Sequence, residues 1–353
     1  MTLFSAQLKP AFSNSHPRVT VLMTVFNGSS FLGRAIDSIL RQTYLDFEFM
    51  IVDDGSTDDS LAIIESYAHH ETRIRLLRNE RNQGLAAALN RGLEEARGDY
   101  IARMDADDSA RPKRLELQVE FMDRHPDVGI CGGQILVHEK GKQHRVCYPI
   151  EHAEIHAALL FHSSFAHPAV MLRRISIVQY GYRYDQQFIT PQDYDLWSRM
   201  VGPLKAANLP QLLIDYYCHG NQLTKNNYQL YIQQRCIIRK PLIKKLLPGA
   251  KQEDFELHDR ISFPFDIFDL NSLSRAEQWL IRLIDANRSA CVYDDMALRR
   301  VFARRWLTIC GQSAYMGMQT FFVFWRSPLR NFSLLPFHTA KLLAKCAIRH
   351  KYG

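Results

Sequence analysis

The stretch GDYIARMDADD, Gly98 to Asp108, joins a mainly apolar run to three carboxylates, Asp105, Asp107 and Asp108. The run DYIARMD, at 99–105, has the length and composition of a buried β-strand. Carboxylates so close together repel one another and resist burial, so a cluster of this kind normally binds a cation or takes part in chemistry. The rest of the chain has to show which of these uses applies.

The residues before this strand alternate between predicted strands and predicted helices. Strands are predicted at 18–26 (RVTVLMTVF), 47–54 (FEFMIVDD) and 73–79 (RIRLLRN), and helices at 31–44, 60–70 and 84–98. Alternation at this spacing predicts a parallel sheet with helices on both faces, and ligands bind such sheets beyond the carboxyl ends of the strands. The polar residues at those ends are Asn27, Asp53, Asp54 and the cluster at 105–108.

The predicted pattern is less regular after Pro112. Helices are predicted at 114–125, at 192–200 and within 229–247, strands at 128–139, 167–174 and 212–219, and a hairpin turn at 140–142. A soft boundary near 248–253 precedes a region that is expected to be helical and increasingly basic. No internal repeat is evident.

The composition of the 353-residue chain is typical of a globular protein, with 46% hydrophobic and 23% charged residues. Its seven cysteines are odd in number and include no C-x-x-C pair, which argues against a disulfide framework and favours a reducing compartment. Residues 1–17 lack the apolar core of a signal peptide, and no window reaches the roughly 18 uninterrupted apolar residues of a spanning helix. We therefore expect a cytoplasmic protein that at most lies on a membrane surface.

The positive charge is concentrated in the C-terminal tail. After Asp295 there is no acidic residue but there are ten lysines and arginines, and subtracting these ten from the net charge of +7 leaves −3 for residues 1–295. These charges are interleaved with aromatic and aliphatic residues, which favours binding to a surface of anionic lipid. The alternative is a basic helical subdomain packed on the main fold. Nucleic acid is not expected, because no known nucleic-acid-binding module accompanies the charge.

A divalent cation bound with a nucleotide diphosphate would account for the carboxylate cluster. Mg²⁺ and Mn²⁺ prefer oxygen ligands, and Mg²⁺ is typically held by one or two carboxylates together with substrate phosphates. Side chains two positions apart on a strand share a face, so one of Asp105 and Asp107 could bind the metal and the other a sugar or ribose, with Asp108 orienting them. The alternative is an Asp-rich turn or helix N-terminus, because D-x-D alone is a frequent pattern.

A second pair of carboxylates follows the second predicted strand, in VDDGSTDDS at 52–60. Either Asp53 or Asp54 could accept a hydrogen bond from a base N–H or a ribose hydroxyl, while residues 56–59 are expected to cap the next helix. No G-x-G-x-x-G follows the first strand and no G-x-x-x-x-G-K-[ST] occurs in the chain. The sequence therefore gives little support for a dinucleotide-dependent dehydrogenase or a P-loop enzyme.

Four motifs, in this order and spacing, resemble the nucleotide-binding half of family 2 glycosyltransferases of the glycosyltransferase-A fold: TVFNGSSFLGRAIDSILRQTY, IVDDGSTD, NQGLAAALNRG and GDYIARMDADD. The resemblance is close over residues 18–125 and weaker to about residue 225. It implies an α/β fold, with a Rossmann-like parallel or mixed sheet, helices on both faces and a helical basic C-terminal region. The implied segments are an N-terminal extension at 1–17, a nucleotide-sugar-binding half at 18–125, an acceptor-binding half at 126–250 and the C-terminal region at 251–353.

The resemblance also implies which residues bind the donor. Those residues are Thr24, Val25, Phe26, Asn27, Asp53 or Asp54, Asn82, Gly84, Arg103, Asp105, Ala106 and Asp107. Asp105 and Asp107 would hold Mn²⁺ or Mg²⁺ with the diphosphate. The stretch YYCHGNQLT, at 216–224, is similar to the family's Y-R-x-H stretch and implies that His219 contacts the metal or the diphosphate. Tyr217 stands where the family usually has arginine, so a bidentate phosphate partner is missing.

The acceptor side of the site follows from a further similarity. TPQDYDLWSRM, at 190–200, is similar to the family's acidic-aromatic-acidic-Leu-Trp motif, which implies that Asp193 is the base that takes the acceptor's proton. Asp195 is the second candidate for the base, and the alternative for Asp193 is a helix cap. HSSFAHPAVMLRR, at 162–174, resembles the segment before this motif. The remaining candidates on the acceptor side and its loops are Asp108, His167, Gln192 (where the family usually has Glu), Asp195 and Trp197.

The resemblance predicts a metal-dependent, inverting glycosyltransferase that uses a nucleotide-diphosphate sugar, expected to be a UDP-sugar. A basic, apolar tail suits a glycan or lipid-linked glycan acceptor in bacterial surface polysaccharide assembly, at the inner face of the membrane. One alternative is a nucleotidyltransferase, although FNGSSFLGR gives thin support for its triphosphate loop. The other is a non-catalytic glycan- or nucleotide-binding protein, in which Asp193→Asn would leave every activity intact.

Overall fold

The structure is a computed structural model that describes residues 16–220, 227–263, 268–332 and 336–349. Most of the predicted N-terminal extension, at 1–15, lies outside these ranges, as do residues 221–224 of the YYCHGNQLT stretch and Lys351 of the basic tail.

The first part of the chain alternates strictly between strands and helices. Its elements are β1 (Val19–Val25), α1 (Ser29–Leu40), β2 (Phe47–Asp53), α2 (Ser60–His70), β3 (Ile74–Arg78), α3 (Leu85–Glu95) and β4 (Tyr100–Asp105). The strands β1 and β2 are buried along their whole length, as their uncharged, β-branched sequences predict. The predicted elements of this part are confirmed to within a few residues.

The second part of the chain is less regular. Its elements are β5 (Ser109–Ala110), α4 (Arg114–Arg124), β6 (Val128–Glu139), β7 (Lys142–Val146), α5 (His152–Ala158), β8 (Met171–Arg173), α6 (Arg174–Tyr180), α7 (Gln192–Met200) and β9 (Lys205–Tyr217). The hairpin turn at 140–142 and the helix at 192–200 are confirmed. The strand predicted at 167–174 is wrong in part: a 3₁₀ turn at His167–Ala169 precedes the short β8, because Pro168 has no N–H to donate to a ladder.

The described part of the C-terminal region contains helices and 3₁₀ turns. The helix α8 (Tyr228–Leu246) precedes this region, whose own helices are α9 (Gln252–Ser262), α10 (Leu270–Ala290), α11 (Asp295–Gln312), α12 (Met318–Arg326) and α13 (Pro336–Ala347). The predicted helical character of this region is therefore confirmed. None of the helices that the structure describes is long and apolar enough to cross a bilayer.

The strands form one mixed sheet in the order β3-β2-β1-β4-β8-β6-β9-β5, with β7 paired to β6. The first four are parallel, β8 runs antiparallel to β4 and β6, and β9 runs parallel to β6. This order places β1 between β2 and β4, so the loops that follow these three strands meet at one edge. The prediction of a parallel or mixed sheet is confirmed.

The sheet and the C-terminal helices share one hydrophobic core. A continuous cluster of buried side chains runs from Leu22 and Met50 on the sheet to Trp306 on α11. A second cluster lies on the opposite face of the sheet, under α1, α2 and α4. Buried polar contacts also connect the two regions, since His258 Nε2 lies 2.8 Å from the Leu160 carbonyl oxygen. The basic tail therefore packs on the main fold.

Candidate active site

The loops after β1 and β2 hold each other in place. The Asn27 side-chain oxygen accepts a hydrogen bond from the Thr57 N–H at 2.8 Å, and Asn27 itself adopts a φ of 52°. Asp58 accepts N–H groups at the start of both α1 and α2, from Ser29 and Ser60, each at 3.0 Å. Burial opposes ionisation of Asp58, but the hydrogen bonds from Ser60 and Ser29 lower its pKa to about 2. As predicted, the residues after Asp53–Asp54 have a structural role, and one of them also orders the loop after β1.

The two carboxylates at the end of β2 have different environments. Asp54 accepts hydrogen bonds from the Asn79 side chain at 2.6 Å and from the Gln83 and Gly84 N–H groups at 3.1 and 2.9 Å. It therefore fixes the loop after β3. Asp53 is fully buried, and within the described ranges its Oδ2 atom has no hydrogen-bond partner. Of the two, Asp53 has the oxygen available for a ligand.

Gly55 allows the loops after β2 and β3 to approach closely. Its φ is +74°, and a Cβ atom at this position would lie 2.6 Å from the backbone of Arg81. The exposed Asn82 follows, and its side-chain oxygen accepts the Gly84 N–H at 2.8 Å. Asn82 and Gly84 thus belong to a tight turn beside Asp53 and Asp54.

The strand register places the other predicted donor residues next to Asp53. Val25 is paired with Asp53 across β1 and β2, and Thr24 is paired with Asp105 across β1 and β4. Phe26 is 47% exposed at the edge of the sheet, and a Cβ atom at Gly28 would lie 3.9 Å from the Ala106 side chain. The structure therefore brings the predicted donor residues together at one edge.

The three carboxylates after β4 form a compact group. One oxygen from each of Asp105, Asp107 and Asp108 lies within 4.8 Å of the others. Arg103, which is buried, forms an ion pair with Asp105, and His219 Nε2 lies 2.8 Å from Asp107 Oδ2. His219 is thus a partner of Asp107, and it lies outside the group of oxygen ligands that the structure brings together.

Burial and mutual repulsion disfavour the state in which all three carboxylates are ionised and have no cation nearby. Burial raises the pKa of Asp105, Arg103 opposes that rise, and Asp107 adds to it. Burial and the charges of Asp105 and Asp107 raise the pKa of Asp108 well above its usual value. Asp108 Oδ1 accepts the Tyr217 N–H at 3.0 Å, while its buried Oδ2 has no hydrogen-bond partner among the described residues. Oxygen ligands with unmet charge and unmet hydrogen bonding suit a hard divalent cation.

An arginine from α1 lies beside Tyr217, the position at which the resemblance implies an arginine. The Arg34 guanidinium carbon is 3.7 Å from the centre of the Tyr217 ring, and Arg34 donates a hydrogen bond to the Asp107 carbonyl oxygen at 2.6 Å. The Arg34 guanidinium group therefore contacts the backbone of the loop that contains the carboxylates, from a different element of the fold.

A cleft of about 660 Å³ extends from these carboxylates toward α7 and α8. Its charged and polar lining includes Arg103, Asp105, Asp107, His167 and Asp193. Aromatic side chains line its walls, namely Tyr148, Phe165, Tyr194, Tyr216 and Tyr231. The sequence does not single out Tyr148, Tyr231 or Arg235, because they lie far from the motifs and reach the cleft only through the fold.

Asp193 lies in the first turn of α7, where its carboxylate faces this cleft. Burial raises the pKa of Asp193 to about 6, while the Tyr194 N–H and Arg103 oppose the shift. Gln192 is buried and also lines the cleft. Asp195 instead forms an ion pair with Arg199 at 2.6 Å and does not line the cleft. Of the two candidate bases, only Asp193 is placed to meet a substrate there.

His167 lines the cleft and packs against Trp197, which lies in the core. His167 Nε2 lies 2.9 Å from the Tyr184 hydroxyl, and its ring meets the buried Trp197 edge-on at 6.2 Å. Burial and the charge of Arg103 lower the pKa of His167 well below its usual value, so the imidazole is neutral. Trp197 is a core residue that does not line the cleft.

The chain is similar to several known proteins. Residues 20–181 match the model of the family described as glycosyl transferase family 2. The chain is 33% identical over 259 residues to the putative glycosyltransferase EpsE of Bacillus subtilis, covering 67% of this chain and 92% of that protein. It is 31% identical to the O-antigen biosynthesis glycosyltransferase WbnJ of Escherichia coli, covering 60% of this chain and 84% of WbnJ.

Among solved structures, the fold resembles that of S. aureus TarS residues 1–349 in complex with UDP-GlcNAc. The TM-score is 0.55 with 13% sequence identity, and the match covers 93% of this chain and 90% of that one. At this identity the likeness concerns the fold, which is a mixed α/β sheet followed by helices.

Proposed function

Since the chain belongs to glycosyl transferase family 2 and is a nucleotide-sugar glycosyltransferase, we propose that it transfers a sugar from a UDP-sugar to a hydroxyl of a glycan or lipid-linked glycan. The observation that carries this proposal is that Asp193, Asp105 and Asp107 line one cleft. A role in surface polysaccharide assembly is supported by the similarity to WbnJ, which is named for O-antigen biosynthesis. The complex of TarS with UDP-GlcNAc supports UDP as the donor nucleotide.

The donor nucleotide would lie across the ends of β1, β2 and β4. Asp53 Oδ2, buried and without a hydrogen-bond partner in the described part of the chain, would accept a base N–H. Asp54 would act indirectly by holding the loop that contains Asn82 and Gly84. The backbone at 24–27 and at 105–107 would border the ribose and the diphosphate.

The carboxylates fit a divalent cation, Mn²⁺ or Mg²⁺, in the donor site. Asp105 and Asp107 would hold the ion, and Asp108, anchored by the Tyr217 N–H, would support them. His219 would orient Asp107 through their 2.8 Å contact. When bound, such an ion offsets negative charge on the leaving diphosphate.

Asp193 would act as the general base. Its carboxylate would take the proton of the acceptor hydroxyl as that oxygen attacks the anomeric carbon, and the bond from this carbon to the diphosphate oxygen would break. Attack from the side opposite the diphosphate inverts the configuration at the anomeric carbon. Gln192 and the neutral His167 would border the acceptor without competing for its proton.

Thermal unfolding with nucleotides tests the donor site. UDP, GDP, CMP and dTDP are each added with and without Mn²⁺. A ligand at 100 times its Kd stabilises the folded state by about 2.7 kcal/mol, which raises the unfolding temperature by several degrees. We expect a shift with UDP that requires Mn²⁺ and disappears in Asp107→Asn. Asp285→Asn is the matched control, since Asp285 pairs with Arg288 on the distant helix α10. If no nucleotide shifts the unfolding temperature, the proposed function is wrong.

We also propose that the C-terminal region binds the cytoplasmic face of an anionic membrane. Along α12, Met318, Phe322 and Trp325 recur at helical spacing and are 39%, 53% and 50% exposed. Arg330 lies over the Trp325 ring at 4.2 Å, and no acidic residue follows Asp295 in the sequence. An exposed apolar face beside excess positive charge suits anionic lipid.

Sedimentation with phosphatidylglycerol vesicles tests this surface. We expect the double variant Phe322→Ala, Trp325→Ala to lose most of the vesicle binding. The control is Ile175→Ala, Val178→Ala, which removes two residues on α6 that are exposed to 63% and 62%. Equal binding by both double variants would contradict the proposal.

A further inference from the structure

A second cavity of about 510 Å³ adjoins the cleft. It lies between the segments on either side of α5, α5 itself and the helix α11, and we call it the arginine cavity. Tyr148 and His162 line both the cleft and this cavity, so the two spaces meet at these side chains. The charge of Asp193 contributes to a raised pKa of Tyr148, after burial, which is consistent with Tyr148 lying near the base.

Three arginines lie around Phe161, beside His162. The Phe161 carbonyl oxygen accepts hydrogen bonds from Arg235 at 2.9 Å and from Arg239 at 3.2 Å. The Arg305 guanidinium carbon lies 5.0 Å from the centre of the Phe161 ring, and Arg305 lines the arginine cavity. Burial and the charges of Arg235 and Arg239 lower the pKa of Arg305 to about 10, which shows how closely the three cations crowd.

The described residues supply one carboxylate for these three cations. Asp259 pairs with Arg239 at 2.8 Å. Within the ranges that the structure describes, no carboxylate forms an ion pair with Arg235 or Arg305, and the buried Arg235 Nε has no hydrogen-bond partner. Buried cations are normally paired. Arg235 is buried without a carboxylate among the described residues and Arg305 is half-buried in the cavity wall, so the arrangement can accept an anion.

Of these three arginines only Arg305 lines the arginine cavity, and the other charged groups there do not supply an anion for it. Glu154 is engaged at 2.8 Å by Arg304, and Arg300 lies 3.8 Å from it. Glu151 also lines the cavity, but it is exposed at the rim. Burial and the charge of Arg305 lower the pKa of His162 to about 4, so this side chain is neutral at pH 7.

We propose that the arginine cavity binds a phosphate group of the acceptor through Arg305, while the acceptor hydroxyl lies at Asp193 in the adjoining cleft. Arginine presents a planar fork of donors that matches phosphate oxygens. The acceptor is thereby assigned to the class of phosphate-bearing glycans or glycolipids. This assignment rests on the proposed transfer reaction, whereas the anion site itself can be tested without it.

Calorimetric titration with inorganic pyrophosphate tests the site. The titration is done in EDTA, because a divalent cation could otherwise bind pyrophosphate at the donor carboxylates. We expect the wild-type protein to bind pyrophosphate and Arg305→Gln to bind it at least about tenfold more weakly. Arg305→Lys, which keeps the charge but not the fork, should fall between them. Arg299→Gln is the matched control, because Arg299 lies on the same helix, pairs with Asp295 at 2.7 Å and does not line the cavity.

A stability measurement separates a ligand-binding arginine from a structural one. Because Arg305 has no carboxylate partner in the described part of the chain, Arg305→Gln should unfold at the same temperature as the wild type or higher when pyrophosphate is absent. A clear loss of stability would indicate a structural role and overturn the proposal.

The donor-site variant Asp107→Asn distinguishes this proposal from the proposed function. We expect it to bind pyrophosphate like the wild type while losing the UDP-dependent shift. If Asp107→Asn loses pyrophosphate binding and Arg305→Gln keeps it, the anion occupies the donor site and the arginine cavity is not a phosphate site. If glucuronate binds through Arg305 and pyrophosphate does not, the phosphate assignment is wrong.

Discussion

Asp193→Asn removes the carboxylate of α7 that lines the cleft, with little change in the size of the side chain. A general base typically contributes about 10²–10⁴-fold to the rate, so turnover should fall by that factor. Nucleotide binding should be retained, because the donor site lies at the ends of β1, β2 and β4. Asp195→Asn is the matched control, since Asp195 is two residues away and pairs with Arg199.

The raised pKa of Asp193 gives this prediction a second, quantitative part. With a pKa of about 6, the ratio of ionised to protonated Asp193 is about ten to one at pH 7 and about one to ten at pH 5. Only the ionised form can accept a proton, so kcat/KM should fall about tenfold from pH 7 to pH 5. The assay is release of UDP from a UDP-sugar, with extracted membrane glycolipid as acceptor. Turnover of Asp193→Asn within threefold of the wild type would refute the assignment of the base.

Three further predictions concern the fold around the site. Gly55→Ala should lower the free energy of unfolding in urea by at least about 1–2 kcal/mol and weaken UDP binding, because the added Cβ would meet the Arg81 backbone at 2.6 Å. Gly84→Ala should cost less, since Gly84 has a φ of +93° and no atom lies within 4 Å of the added Cβ. Trp306→Ala should cost about 3–5 kcal/mol and unfold sheet and tail together, as fluorescence and circular dichroism would show by coincident transitions. Burial lowers the pKa of His258 to about 3, so protonation of this side chain favours the unfolded chain. The free energy of unfolding should therefore fall as the pH drops from about 6.5 toward 3, and His258→Gln should make this fall smaller.

Local sequence patterns were sufficient for most elements of the sheet half. Strands β1 and β2 consist of uncharged, β-branched residues, and α2 and α7 have the bounds that their sequences predict. The short β5 and the helices α5 and α6 were not predicted, because elements of two to seven residues carry little periodicity of their own.

The candidate site was predictable where motifs lie at strand ends and not where it depends on tertiary contacts. Asp53 and Asp54 are adjacent in the sequence. Only the hydrogen bonds from Asn79, Gln83 and Gly84 show that the Asp54 carboxylate is already engaged within the protein. The aromatic walls of the cleft come from separate elements, namely α7, β9, α8 and the loops that contain Tyr148 and Phe165, and only the fold brings them to Asp193. No local pattern could have indicated Arg305, since its environment is set by residues far away in the chain.

The stacking of Arg34 on Tyr217 makes these two side chains depend on each other. The guanidinium group from α1 occupies the space beside Tyr217 and lies on its ring. An arginine placed at 217 alone would bring two cations into contact and remove the aromatic surface on which Arg34 lies. The two positions therefore form one unit for protein engineering, and a change at either is expected to need a compensating change at the other.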